Sequence, residues 1–162
     1  MAASGTSDTP AARTWSGDHE RALRLWIALA RCYATFSRAV GAKICEYDLT
    51  APQFGVLEAL HHLGPLSLGE LAGKLLVTGG NVTYVMDRLE ERGLVVRERS
   101  PEDRRVVEAK LTDAGRELIT EVFPGHTDFI KDLVGHLEPT DQEELRRLLK
   151  VLGRGAAEKS GS

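Results

Sequence analysis

Thr78-Gly79-Gly80-Asn81-Val82-Thr83-Tyr84-Val85-Met86-Asp87-Arg88-Leu89-Glu90-Glu91-Arg92-Gly93-Leu94-Val95-Val96-Arg97-Glu98-Arg99-Ser100-Pro101-Glu102-Asp103-Arg104-Arg105 decides the fold, because the hydrophobic period changes inside it. Val82, Val85, Met86 and Leu89 recur at helical spacing, and Thr78 stands where an N-cap belongs. Gly93 supplies a left-handed stop. Beyond it the period is two. Leu94 to Arg99 predicts a strand, Ser100 to Arg104 a turn, and Arg105 to Leu111 a returning strand with Val107, Ala109 and Leu111 on one face. A helix feeding a β-hairpin is therefore expected.

Upstream lie two more short helices. Thr50-Ala51-Pro52-Gln53 forms a capping box ahead of Phe54, Leu57 and Leu60, and Gly64-Pro65 ends that run. Ser67-Leu68-Gly69-Glu70 is a second box, followed by Leu71, Leu75 and Leu76. Only a few residues separate this helix from Thr78, so the two can cross as a helix-turn-helix. Residues 50–112 thus form one module of three helices and a wing.

The flanks are long helices. Across 18–46, Leu23, Trp26, Ile27, Ala30, Tyr33 and Ala34 keep helical spacing. Thr112 caps another helix carrying Leu118, Ile119 and Val122, and Pro124-Gly125 should kink or break it near Phe123. The pattern resumes through Phe129, Ile130, Leu133, Val134 and Leu137. Pro139-Thr140 opens a last helix, with Thr140 and Glu143 as a third capping box. These stripes exceed what one small core would bury. Residues 18–46 and 113–152 are therefore expected to dimerise the chain, with Leu23, Ile27, Leu145, Leu148, Leu149 and Leu152 at the interface. Residues 1–17 and 153–162 read as disordered tails. The expected architecture is mainly α, a winged helix-turn-helix between N- and C-terminal dimerisation helices.

Composition agrees with a globular chain: 162 residues, 42% hydrophobic and 28% charged. No apolar run spans a bilayer and no signal peptide is visible, so the expected compartment is the cytoplasm. The net charge of −3 argues mildly against nucleic acid. Between Lys74 and Lys110 eight basic residues face seven acidic ones. Binding to DNA would depend on which side each charge occupies.

The pattern of the third short helix suits that role. Its apolar residues face one way, leaving Gly80, Tyr84, Asp87 and Glu91 outward and Asn81, Thr83 and Arg88 on the flanks. In a major groove Asn81 would bond adenine, Thr83 would touch a thymine methyl, and Arg88 would reach guanine or phosphate. Thr78, Gly80 and the helix N-terminus would sit near phosphate, and Tyr84 would stack on sugar or bond a phosphate. At the wing tip Arg105 suits the narrow minor groove, held by Asp103 through a charge-assisted bond, with Arg104 on phosphate. One such module is too small to be selective in a genome. A two-fold dimer on double-stranded DNA with an inverted repeat is expected.

Ser100-Pro101-Glu102-Asp103-Arg104-Arg105, with Leu111-Thr112-Asp113-Ala114-Gly115 behind it, resembles the wing signature of the MarR family (multiple-antibiotic-resistance regulators). Thr78 to Glu90 resembles that family's recognition helix, and Arg92-Gly93-Leu94-Val95 the segment leaving it. The resemblance covers roughly Arg21 to Leu152. Gly80 to Glu90 together with Val122-Phe123-Pro124-Gly125-His126 is similar to the hydroquinone- and quinone-responsive branch. It implies a winged-helix dimer, by family habit a repressor, released from DNA by a small ligand. The ligand would lie between the dimer helices and the reading module, near Trp26, Tyr33, Phe36, His61 and His62, in a pocket suited to a small aromatic or phenolic molecule.

Other classes are less well supported. Redox sensing would use Cys32 or Cys45. On one straight helix these lie about 20 Å apart, too far for an intrachain disulfide, and burial is the expected fate of both. Metal sensing would recruit His61, His62, Cys45, Glu46 or His126, none at ligand spacing. An enzyme finds no support: Gly69 to Lys74 mimics a phosphate loop, but its glycines are a residue too close and Leu75 replaces the needed hydroxyl. No cofactor is expected.

Overall fold

The computed structural model describes residues 16–75, 79–101 and 103–160. Residues 1–15 of the expected 1–17 tail and 161–162 of the expected 153–162 tail, together with Leu76, Thr78 and Glu102, lie outside them. In chain order the elements are α1 (Gly17–Cys45), α2 (Ala51–Leu63), β1 (Leu66–Ser67), α3 (Leu68–Leu75), α4 (Gly79–Glu91), β2 (Val95–Arg99), β3 (Val107–Leu111), α5 (Asp113–Val134) and α6 (Pro139–Ser160). The chain divides into two compact units within α1, between Ala39 and Val40.

The second unit holds the core. Phe54, Val56, Leu57 and Leu60 of α2, Leu71 of α3, Val82, Val85, Met86 and Leu89 of α4, Val95 and Ala109 of the hairpin, and Ile119 and Val122 of α5 are all buried in one cluster. The helical period of α4 and the alternation of β3 aim these side chains inward.

The helix ends are built as their sequences require. Thr50 and Gln53 cap α2 reciprocally. Ser67 and Glu70 do the same for α3: the Glu70 amide donates to Ser67 Oγ at 3.2 Å, and Ser67 N donates back to Glu70 Oε2 at 2.8 Å. At the end of α4, Gly93 has φ 67°. Its amide donates to Glu90 O at 2.8 Å and that of Leu94 to Leu89 O at 2.9 Å. This paired closure turns the chain directly into the wing.

The sheet has three strands in the order β1-β3-β2, all antiparallel. β1 is an addition to the expected two-stranded wing. Leu66 pairs with Ala109 and Ser67 with Glu108, so the capping residue of α3 also closes the sheet edge. Two residues are too short to show any period, which hid β1 in the sequence. The returning strand starts at Val107 rather than Arg105, because Arg104 and Arg105 form the turn itself.

Three expectations about the C-terminal helices are corrected. α5 runs unbroken through Pro124. Proline removes the bond that its own missing N–H would make and crowds the carbonyl one turn back, but packing of Ile119, Val122 and His126 on both sides holds the helix together. α6 begins at Pro139, with Glu138 O accepting from the amides of Asp141 and Gln142 at 2.9 and 3.0 Å. Glu138 therefore takes the cap position expected of Thr140, and Glu143 pairs with Arg146 instead. Finally, α6 continues to Ser160, through the stretch expected to be a disordered tail. Ala156, Ala157, Glu158 and Lys159 are good helix formers, and they outweigh two isolated glycines.

Candidate nucleic-acid interface

α4 and the wing make one surface. On α4, Asn81, Thr83, Tyr84 and Arg88 are exposed, while Val82, Val85, Met86 and Leu89 anchor the opposite side. The Arg88 guanidinium lies 5.3 Å from the Tyr84 ring centroid and 2.6 Å from Glu91 Oε2. Gly80 sits in the first turn of α4. Thr78 falls outside the described residues.

At the wing tip, Asp103 grips Arg105 with both oxygens. Arg105 Nε donates to Oδ1 at 3.1 Å and Nη2 to Oδ2 at 3.0 Å, while the Arg105 amide donates to Oδ1 at 3.0 Å. These bonds hold the Asp103 carboxyl below its ordinary range and raise Arg105 further. The fork is preorganised, yet the Arg105 side chain remains 91% exposed. Arg104 is exposed beside it, and its carbonyl accepts from Arg99 Nη1 at 2.7 Å. The tip is thus a braced turn presenting a guanidinium outward.

Ion pairing resolves the near-balance of charge in this region. Asp87 and Glu90 of α4 both face Arg97 of β2, Glu91 pairs with Arg88, Glu98 with Lys110, and Asp103 with Arg105. The pair from Glu98 also raises the pKa of Lys110. Much of the acidic charge is therefore locally compensated, and the acids need not repel a polyanion as isolated charges would.

Behind α4, Arg92 Nη1 donates to Asp48 O at 2.6 Å, and Asp48 holds a left-handed φ of 57°. This bond ties the end of α4 to the turn between α1 and α2. A shallow hollow of about 490 Å³ there is lined by Cys45, Asp48, Leu49, Thr50, Gln53 and Arg92. Cys32 and Cys45 are both exposed in the single chain, which corrects the expectation of burial. The inward position near the end of α1 belongs to Ile44, and its neighbour Cys45 is turned outward.

Of the residues expected near a ligand, His61 and His62 are brought together with Phe123 of α5. The His61 and His62 rings lie 5.0 Å apart, and Phe123 stands 4.8 Å from His62. His126 packs on Phe54 at 4.4 Å, and burial pushes its pKa down. Tyr47 Oη, His61 Nδ1 and His126 Nδ1 are buried without a hydrogen-bond partner. Trp26 and Tyr33 are exposed on α1, where Phe36 is half-buried. Among the described residues no cluster of three or more His, Cys, Asp or Glu could hold a metal ion.

Arg97 was not singled out by sequence reasoning. A lone arginine in a strand of alternating period reads as solvent-facing. The available signal was its place in phase with Val95, on the face that Ala109 lines.

A helix-turn-helix joined to a braced β-wing defines a winged-helix DNA-binding protein. The MarR family model matches residues 49–107. The HTH-type transcriptional regulator MhqR of Bacillus subtilis is 35% identical over 137 residues, covering 85% of this chain and 94% of that one. The regulator PecS of Dickeya dadantii is 32% identical, over 78% of this chain and 76% of its own. Among solved structures, Sco3205 of Streptomyces coelicolor, a MarR family regulator in complex with DNA, matches with a TM-score of 0.78 and 25% identity, over 90% of this chain and 92% of its own. The chain belongs to the MarR family and is a DNA-binding transcriptional regulator; these relatives are regulators, not enzymes.

Proposed function

We propose that the chain acts as a homodimeric repressor on an inverted-repeat operator and leaves it when a small aromatic or phenolic effector binds. The observation that carries the DNA-reading part is the Asp103-braced, outward Arg105 beside the exposed face of α4. α4 enters the major groove with Asn81, Thr83, Tyr84 and Arg88, and its N-terminus with Gly80 and Thr78 approaches phosphate. Arg105 enters the minor groove and Arg104 meets phosphate. Leu23 and Ile27 of α1 and Leu145, Leu148, Leu149 and Leu152 of α6 are exposed in the single chain and meet a second copy.

The effector is supported by kinship and by chemistry. BpsR of Bordetella bronchiseptica, whose DNA binding is regulated by 6-hydroxynicotinic acid, matches with a TM-score of 0.72 and 30% identity, over 80% of this chain and 98% of its own. Trp26, Tyr33, Phe36, His61 and His62 supply rings and polar edges for such a molecule. Binding favours a dimer whose two α4 helices no longer match the groove spacing. With DNA as its partner, the protein works in the cytoplasm; no helix among the described residues is long and apolar enough to cross a membrane.

The test is fluorescence anisotropy on the DNA upstream of its own gene, with scrambled competitor and a salt series. Tight, competitor-resistant binding that is lost on adding a phenol or quinone supports the proposal. Sequence-blind binding, or binding indifferent to every such ligand, refutes the corresponding part.

The exposure of Cys32 and Cys45 favours one second reading, a redox-switched repressor. Loss of operator binding on oxidation that survives Cys32→Ser but not Cys45→Ser, or the reverse, would establish it.

A further inference from the structure

We propose that Arg97 is the positioning residue that locks the wing to the recognition helix, so that both reading elements meet DNA as one rigid body. The inference rests on the reading of α4 and Arg105 as the DNA-contacting groups.

Arg97 lies mid-way along β2, opposite Ala109 of β3. The small partner leaves its side chain room to turn toward α4. There its Nη2 donates to the Thr83 carbonyl at 3.1 Å and to Asp87 Oδ1 at 2.5 Å, while Nη1 lies 3.5 Å from Glu90 Oε2. Its backbone amide donates to Glu90 Oε1 at 2.8 Å. One guanidinium thus spans nearly two turns of α4 from Thr83 to Glu90, and Glu90 holds both the backbone and the side chain of β2. The Arg97 side chain is only 23% exposed, so its charge is spent on α4 rather than offered to DNA.

This anchor matters because β1 pairs with the hairpin only at Glu108 and Ala109, and the two-stranded ribbon beyond is weak by itself. The direct covalent link from α4 to β2 is the short turn at Gly93. Arg105 lies beyond the far end of β2, so a small rotation of the hairpin about Gly93 displaces it by about twice as much as Arg97. A guanidinium that makes two hydrogen bonds from Nη2 and an ion pair from Nη1 to one helix resists such a rotation, which a single lysine charge does not. Without the anchor, binding in the minor groove must first order the hairpin, and that cost cancels what Arg105 contributes.

The proposal predicts coupling between two residues that do not touch. In the wild-type chain Arg105→Ala should weaken operator binding about tenfold or more. In an Arg97→Met chain the same change should cost less than about threefold, because the wing is already unhooked. Thermal melting shows whether Arg97→Met is folded; if it is not, Asp87→Asn with Glu90→Gln removes the anchor while sparing the arginine and serves in the same cycle. Asp87→Asn alone adds a discriminating sign. If that carboxylate only repels DNA, its removal strengthens operator binding; if it anchors Arg97, removal weakens it. Equal costs of Arg105→Ala in both backgrounds, or tighter binding by Asp87→Asn, overturn the proposal. A wild-type chain indifferent to Arg105→Ala would instead overturn the reading of the wing itself, and the coupling with it.

Discussion

Arg105 combines full exposure with a fixed orientation, which is what a groove probe needs, since a free arginine would lose rotamer entropy on binding. Arg105→Ala should also lower the slope of log affinity against log salt by about one, measured by anisotropy across a salt series. Asp103→Asn should weaken binding less, because the guanidinium remains but its brace is loosened. His126 makes a prediction about pH. Burial lowers its pKa in the fold, opposed by the nearby Glu58 charge. The unfolded chain therefore binds a proton first as pH falls. Stability should be full above the ordinary histidine range, decline as pH drops through about 6.5, and level off below the folded value. Melting temperatures from pH 8 to 5 should show that decline, and His126→Phe should flatten it. Gly115 is a packing requirement: an added Cβ would lie 2.0 Å from the Leu94 carbonyl oxygen. Gly115→Ala should destabilise by about 1 to 3 kcal/mol in urea unfolding, as overpacking does. The Thr112-to-Gly115 stretch is therefore a docking motif, with Thr112 Oγ1 donating to Gly93 O at 2.7 Å and accepting from Gly115 N at 3.0 Å.

At the scale of elements, local signals worked where the backbone itself demanded them. The boxes at Thr50 and Ser67, the stop at Gly93 and the cap at Thr112 are all built, because orphan amides and carbonyls must be satisfied nearby whatever the distant packing. Thr50→Ala should accordingly cost about 1 kcal/mol in chemical denaturation. The same signals failed where several solutions were open. Pro124 could have broken α5, but buried side chains on either side keep the helix whole. Pro124→Ala should leave helix content by circular dichroism unchanged, as α5 is already continuous across the proline. Thr140 is a suitable cap by type, yet Pro139 is equally suited to a first helical position, and the start of α6 lies two residues earlier than a Thr140 cap would place it.

At the scale of the molecule, the proposed dimer rests on the exposed leucines of α6. Leu145, Leu148, Leu149, Val151 and Leu152 are all exposed in the single chain, and a hollow of about 310 Å³ beside them is lined by Val134, Leu137, Leu145 and Leu149 together with Gln142, Glu143 and Arg146. Leu148→Glu with Leu149→Glu should therefore give monomers in light scattering. Operator affinity should fall steeply, because each half-site would then be bound separately. A monomeric wild-type chain would remove these leucines from the interface.

What the sequence determined alone was what nearby residues can settle: the order of helices, the change of period at Gly93, and the inward face of α4. The Asp103–Arg105 brace was also legible, since two residues of separation put both groups in one turn. Only the tertiary structure decided the third strand at Leu66, the continuity of α5, the outward turn of Cys45 and the partners of Arg97. Each of these depends on groups distant in sequence meeting in space. Arg97 reaches Thr83 across 14 residues and Asp87 across 10. No local period records such a meeting, because it exists only once the wing has folded back against the helix.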